Sequence, residues 1–181
     1  YIEYQMNHVD ALLTELGYDT SQEEIKETPK RYYNYIKEFT KKNDNDFIDY
    51  CSKHNIKRSY SKPTENIKIT LNSIFIRSMC QHHILPFYGN VFISYVSKGY
   101  TLGLSKFKRI IDFASSECTT QEHLTKKIAT YIMNILPVKN IYIKLVCTHT
   151  CMIVRGIKDI NSYTITEIHI LEDEYGVRHI L

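Results

Sequence analysis

Apolar positions change their spacing several times along the chain, and each change marks an element. Ile2, Val9, Leu12, Leu13 and Leu16 recur at helical spacing up to Gly17, which predicts an amphipathic helix capped at its C-terminus by glycine. Thr28-Pro29 predicts a second helix, with Thr28 as N-cap, proline at the first helical position and Tyr32, Tyr35, Ile36 and Phe39 as its stripe. Lys41 to Asp46 holds only charged and amide side chains and reads as a solvated connection. From about Asn66 to Met79 the period falls to two. Ile67, Ile69, Leu71 and Ser73 share one parity and Ile74 and Ile76 follow after a slip, the pattern of a strand with a bulge. Val91, Ile93 and Tyr95 predict a second strand that closes at the Lys98-Gly99 turn.

Two helices come next. Ser105 is the expected N-cap of the first, whose apolar side is Phe107, Ile110, Ile111 and Ala114; Leu124, Ile128, Tyr131, Ile132 and Ile135 form the stripe of the second, which Pro137 ends. A long strand from Ile141 places Ile143, Leu145, Cys147, His149, Cys151 and Ile153 on one face, and Tyr163 to Leu171 predicts the last strand. The expected division is an N-terminal helical region over 1–45, a linker over 46–65 and a domain over 66–181. No internal repeat is visible. A length of 181 residues with 43% hydrophobic content suits one domain with a real core plus a smaller appendage.

Charge narrows the partners. The net +3 from 23 basic and 20 acidic residues is too small and too scattered for a nucleic-acid footprint, while a small anionic ligand is compatible with it. No apolar run is long enough for a membrane span, and the first residues lack a basic-then-apolar signal pattern. Five cysteines at irregular spacing, Cys51, Cys80, Cys118, Cys147 and Cys151, do not form the framework of a secreted disulfide module, so a reducing, cytoplasmic setting is expected.

Two short clusters carry the chemistry. Cys80-Gln81-His82-His83 and the distant His149-Thr150-Cys151 together hold three zinc-type ligands and two spare imidazoles. Thiolate and imidazole are ligands that zinc prefers, and three protein ligands leave one tetrahedral position open, whereas a structural site would show four, often as two Cys-x-x-Cys knuckles that this chain lacks. Cys80 and His83 can converge if the chain turns after Met79, with His82 pointing elsewhere. Cys147, His149 and Cys151 share a strand parity, so spacing alone does not choose between the two cysteines as a ligand. Isolated cysteines and histidines near strand ends are usually ordinary core or surface residues; two clusters in so short a chain weigh against that reading.

A second constellation is Ser105 and Lys106 with Arg109, where a helix N-terminus and two cations on one face make an anion site, and Arg155 can add a bidentate clamp. A solvated basic face is the plainer alternative. Gln121-Glu122 opens a helix, where a carboxylate is favoured by the dipole in any case; its functional alternative is to accept two N–H bonds from a guanine edge.

In order, the segments Ser78-Met79-Cys80-Gln81-His82-His83-Ile84-Leu85-Pro86-Phe87-Tyr88-Gly89, Leu102-Gly103-Leu104-Ser105-Lys106, Gln121-Glu122-His123-Leu124-Thr125 and Thr148-His149-Thr150-Cys151-Met152 resemble GTP cyclohydrolase I. Glu27-Thr28-Pro29-Lys30-Arg31 is similar to the family's N-terminal region. The resemblance implies an α+β tunnelling fold, an antiparallel sheet backed by two helices with an N-terminal helical appendage, assembled as a homodecamer with active sites between subunits. It implies hydrolysis and rearrangement of GTP to 7,8-dihydroneopterin triphosphate with release of formate, the first step towards pterins and folate. It implies that Cys80, His83 and Cys151 hold Zn2+, with Cys147 not a ligand, and that His82 and His149 handle protons. Glu122, with Gln121 beside it, would anchor the guanine edge; Ser105, Lys106, Arg109, Arg155 and Arg31 would hold ribose and triphosphate. Two positions depart from the family pattern: Gln81 replaces the usual Glu, removing a charge beside the metal site, and Asn34 stands where some members have Lys. The alternatives are another tunnelling-fold purine or pterin enzyme, or a non-catalytic paralogue that keeps zinc and nucleotide.

Overall fold

The computed structural model describes residues 2–40 and 47–181, with side chains from His8 onwards. The connection expected over 41–46 and the Ile2 side chain lie outside the described residues. Two compact units, Tyr1–Lys41 and Lys42–Leu181, divide the chain.

The first unit holds α1 (Ile2–Glu15) and α2 (Thr28–Phe39). Gly17 ends α1 as expected, in the left-handed region at φ 88°, and the Tyr18 N–H closes the cap on the Leu13 carbonyl at 3.0 Å. Thr28 is not the N-cap of α2: that position belongs to Glu27, whose side chain makes no cap bond. Helical bonding starts one residue early because the Arg31 N–H already donates to the Glu27 carbonyl at 3.0 Å. Pro29 therefore sits within the first turn, where a missing N–H leaves nothing unsatisfied.

In the second unit, the residues 47–64 depart from the expected linker. They form α3 (Phe47–Lys53), the short strand β1 (Ser59–Tyr60) and a 3-10 turn (Lys62–Thr64). Phe47 is buried and stacks on Tyr131 with ring centroids 4.0 Å apart, so this segment is part of the core. There follow β2 (Lys68–Cys80), β3 (Leu85–Ser97), β4 (Tyr100–Thr101), α4 (Leu104–Ser115), β5 (Cys118–Thr119), α5 (Gln121–Ile135), β6 (Val138–His149), the helical turn α6 (Thr150–Ile153), β7 (Thr164–Glu172) and β8 (Arg178–Ile180). Six strands make one sheet in the order β5-β2-β3-β6-β7-β8, antiparallel except for the β2–β5 pair, and β1 pairs with β4 in a separate ribbon. The expected antiparallel sheet backed by two helices is present. Ile110, Ile111, Leu124, Ile128 and Ile132 of α4 and α5 are fully buried, as are Val91, Ile93, Ile143 and Leu145 of the sheet. Each such side chain contributes about 1.5–3 kcal/mol by leaving water.

The slip read in the sequence is a real bulge. Leu71 pairs with Ile93 and Ile74 with Val91, so β2 carries one extra residue, with Ser73 at φ 57°. A one-residue insertion exchanges the two faces of a strand. Beyond it Ile76, Ser78 and Cys80 are buried on even positions, where Ile69 and Leu71 had occupied odd ones. The bulge thereby turns the Cys80 thiol inward at the end of the strand.

Candidate metal and purine site

Four elements meet at the C-terminal end of β2. The first is the β2–β3 hairpin: Cys80 pairs with Leu85, the Ile84 N–H donates to the Cys80 carbonyl at 2.9 Å, and Ile84 takes φ 52° to close a loop that presents His82 and His83. A β-branched residue at positive φ is strained, and the strain sits beside the ligands. The second is β5, held parallel to β2 by the Met79–Cys118 and Cys80–Thr119 pairs. The Ser78 hydroxyl fastens it by reaching the Ser115 and Glu117 carbonyls at 2.8 and 3.0 Å. The third is the start of α5, where Thr120 Oγ1 accepts from the His123 N–H at 3.2 Å and so fixes Gln121 and Glu122 in the first turn.

The fourth corrects an expectation. The strand does not run through to Ile153: β6 stops at His149, and Thr150–Ile153 forms a helical turn. Thr150 Oγ1 donates to the Pro86 carbonyl at 2.6 Å and the Val154 N–H returns to the Thr150 carbonyl at 2.9 Å, which pulls the backbone out of the sheet. His149 and Cys151 consequently reach the same cavity from a strand end and a helical turn, not from one strand face.

That cavity has a volume of about 290 Å³, and its lining includes Cys80, His82, His83 and Cys151. Gln121, Glu122 and His149 line it too. The ligand atoms of Cys80, His83 and Cys151 lie within 4.8 Å of one another; Cys80 Sγ is 4.0 Å from His83 Nδ1 and 3.8 Å from Nδ1 of His82, which does not point elsewhere as expected. Tetrahedral zinc with Zn–S near ~2.3 Å and Zn–N near ~2.0 Å needs ligand atoms roughly 3.5–3.8 Å apart, so the donor set and its spacing fit such an ion with small side-chain movements. Burial first and the neighbouring Cys80 second push the Cys151 thiol up, and Arg155 is close enough to oppose them. A Cys151 thiol pushed up in this way gives up its proton once a cation joins the two sulfurs. Cys147, the rival on spacing, is buried within β6 opposite Gly89, and burial pushes its thiol up to about 12. It is a core residue. Cys118 is exposed and Cys51 half-buried.

The His149 ring stacks on Phe87, its cross-strand partner, with centroids 4.7 Å apart and planes at 13°. Burial lowers the pKa of His149, and the Glu122 carboxylate pulls the other way. Glu122 itself is exposed at the helix start, free to accept from a ligand. Gln121, expected beside the guanine edge, lines the same cavity with its amide already engaged. Its amide is spent inside the protein, on the Leu145 and Thr164 carbonyls, on Thr166 Oγ1 and on His149. Phe87 and Thr166 therefore bear on the site although sequence reading gave them no role; the signal available for Phe87 was its strand parity with Val91.

Lys106 and Arg109 of the anion constellation lie elsewhere in the chain. Gly103, not Ser105, precedes α4, and Ser105 falls within the exposed first turn. Lys106 Nζ and Arg109 Nη1 both donate to the His54 carbonyl at 3.1 Å, so the two cations do converge. They converge at the N-terminal end of α4, however, whereas β5 and the metal ligands follow its C-terminal end. Twelve residues of helix separate those ends, about 16 Å at ~1.5 Å per residue. Arg155 sits after α6 beside Cys151, and Arg31 is exposed in the first turn of α2, in the other unit. Among the described residues no helix is long and apolar enough to cross a membrane.

Comparison with known proteins bears on the same residues. GTP cyclohydrolase 1 of Coxiella burnetii (strain RSA 493 / Nine Mile phase I) is 32% identical over 164 residues, 90% of this chain and 85% of that protein. The GTP cyclohydrolase 1 of Wigglesworthia glossinidia brevipalpis is 36% identical over 163 residues, 88% of this chain and 72% of its own. One solved structure, that of the archaeosine synthase QueF-Like in the apo form, covers 56% of this chain and 91% of its own at a TM-score of 0.45 and 13% identity, too loosely to bear on the fold. The family model of GTP cyclohydrolase I matches residues 5–173, which takes in the cysteine and histidine clusters, the start of α5 and the cations of α4. The chain belongs to the GTP cyclohydrolase I family.

Proposed function

We propose that the protein opens the imidazole ring of GTP, releases formate and rearranges the remainder to 7,8-dihydroneopterin triphosphate, and that Cys80, His83 and Cys151 hold Zn2+ for this reaction. The observation that carries the reading is one cavity holding a three-ligand metal set, an imidazole and a free carboxylate in a chain of this family. Zinc at that position supplies Lewis acidity, bringing the pKa of water from about 15.7 towards ~7, so that attack at guanine C8 is accessible near neutral pH. Glu122 accepts from the guanine N1–H and its exocyclic amine and sets the base in the cavity. His149 picks up a proton on its free ring nitrogen and passes it to the imidazole-ring nitrogen of the purine, and burial, which lowers its pKa, makes the protonated ring a readier donor. His82, exposed on the hairpin, serves the later proton transfers.

Ser105, Lys106, Arg109, Arg155 and Arg31 bind ribose and triphosphate in this reading. A cavity of about 290 Å³ is at the small end for a ligand site and suits a base rather than a whole nucleotide. Lys106 and Arg109 of one chain stand about a helix length from that chain's own cavity, so those of a second copy join the chain's own Arg155 in holding the triphosphate. The assembly is a homo-oligomer, a decamer by family, working in the cytoplasm.

Purified, zinc-loaded protein incubated with GTP is expected to yield formate and, after oxidation, fluorescent neopterin; a correctly assembled preparation giving neither product overturns the reading. Turnover of another purine or pterin in its place would favour a different enzyme of the same fold. The shared site has its own test. Cys151→Ala and Lys106→Ala proteins are each expected to be nearly inactive, and co-assembled at 1:1 to recover about a quarter of wild-type activity, the chance that an intact cavity meets an intact neighbour. No recovery on mixing would mean that each chain is self-sufficient.

A further inference from the structure

Gln121 is 1% exposed, and the hydrogen bonds around it fix which end of its amide faces His149. Its Nε2 stands 3.3 Å from the Leu145 carbonyl, 3.0 Å from the Thr164 carbonyl and 3.1 Å from Thr166 Oγ1. Backbone carbonyls only accept, so the NH2 end of the amide must be the end facing them. Oε1 is then the atom 2.8 Å from His149 Nε2. Since Oε1 also only accepts, His149 Nε2 must carry the hydrogen. The neighbouring hydroxyls agree: Thr125 Oγ1 donates to the Gln121 carbonyl at 2.8 Å, so in its 2.6 Å contact with Thr166 Oγ1 the proton belongs to Thr166, which in turn accepts from Gln121. Phe87 sets the plane of the imidazole and Gln121 sets its edge.

We propose that Gln121, braced by Thr166, is a positioning residue that locks His149 as its Nε2–H tautomer and so assigns Nδ1 as the atom that exchanges a proton with the purine. The proposal rests on the reading of His149 as the proton-transfer group. It goes beyond the expected place beside the guanine edge, because the amide hydrogens are spent inside the protein. Second-neighbour residues of this kind act by removing alternative ring states, so their loss lowers the rate without touching the binding of substrate.

The test compares Gln121→Leu, Thr166→Val and Thr166→Ser with the parent protein by steady-state kinetics and by solid-state 15N NMR of histidine-labelled protein, with His149→Asn identifying the His149 signals by difference. Wild type is expected to show a protonated Nε2 and a bare Nδ1 at His149. Gln121→Leu is expected to mix the tautomers and lower kcat by about 100-fold with KM for GTP within about twofold, less than the ~10⁴-fold cost when a charged orienting carboxylate is neutralised in a hydrolase triad. Thr166→Val is expected to lose about threefold to tenfold in kcat, and Thr166→Ser, which keeps the hydroxyl, to restore most of it. Should Gln121→Leu fail to fold, the two Thr166 variants decide. A wild-type tautomer in both Gln121→Leu and Thr166→Val, or a rise in KM at constant kcat, overturns the positioning role. A wild-type protein with the stated tautomer but no turnover of GTP would sink the function and leave the positioning geometry standing.

Discussion

Gly89→Ala is expected to lower the stability of the fold by about 3 kcal/mol or more, the upper range for forcing extra volume into a packed interior. A Cβ on Gly89 would stand 2.0 Å from the Val146 carbonyl oxygen, 2.7 Å from Cys147 Cα and 2.9 Å from the Val146 carbonyl carbon. All three are backbone atoms, so no rotamer change relieves the clash; β3 and β6 must separate. They are central strands of the sheet, paired from Phe87–His149 to Ser97–Val138, and Gly89 lies two residues from the Phe87–His149 pair that forms one wall of the cavity. Thermal melts at fixed protein concentration are the measurement, because the proposed self-assembly would make the midpoint concentration-dependent. For a chain of this size roughly 3 kcal/mol corresponds to about 6–12 °C. The variant is also expected to lose the ring stacking on His149, and with it turnover. A midpoint within about 2 °C of the parent would mean that the β3–β6 approach is looser than described.

The pattern of the sequence reached the strands that matter because burial on one face leaves a period. The phase slip between Ser73 and Ile74 was visible since a bulge shifts every later side chain by one position, and that shift is what turns Cys80 inward. The stripes of α4 and α5 were equally open to reading, for both helices bury one side against the sheet. Other features were hidden by length. Four residues of helix at Thr150–Ile153 cannot establish a period of their own, and Cys151 and Ile153 happen to continue the alternation of β6; the break comes from the Thr150–Pro86 hydrogen bond, a contact across 64 positions. In α3 the signal existed, as Phe47, Tyr50 and Cys51 fall at helical spacing, but a seven-residue helix gives barely two turns in which to see it. The strand β8 is three exposed residues at the sheet edge and has no apolar pattern at all.

The candidate site divides in the same way. Cys80 and His83 were legible because their spacing and a turn suffice to bring them together, while the spacing of Gln121 and Glu122 said nothing of their different fates. Helix geometry sends adjacent residues in different directions. Glu122 stays exposed, and Gln121 enters the sheet to meet β6 and β7, partners from 24 to 45 positions away in the chain. The distance between the α4 cations and the metal ligands could not be read either, since it depends on which end of the helix each adjoins.

Between the two cysteines the fold gives a sharp expectation. Cys151→Ala is expected to leave the protein folded, to take bound zinc from about one ion per chain towards none, and to reduce turnover by more than the ~10–100-fold that loss of an outer-shell partner costs. Its side chain is half-buried at the cavity, so truncation removes a ligand and little packing. Cys147→Ala is expected to show the opposite profile. That thiol is 1% exposed in the core between Gly89 and Thr164 and burial pushes its pKa up to about 12, so its loss leaves a small void. Stability should fall by about 1 kcal/mol while the zinc content stays at the wild-type level. Metal analysis of the two variants, with a thermal melt of each, separates the cases in one experiment. Zinc retained by Cys151→Ala and lost by Cys147→Ala would reverse the assignment and require β6 to continue past His149; zinc retained by both would remove the cysteine at that position from the metal site altogether.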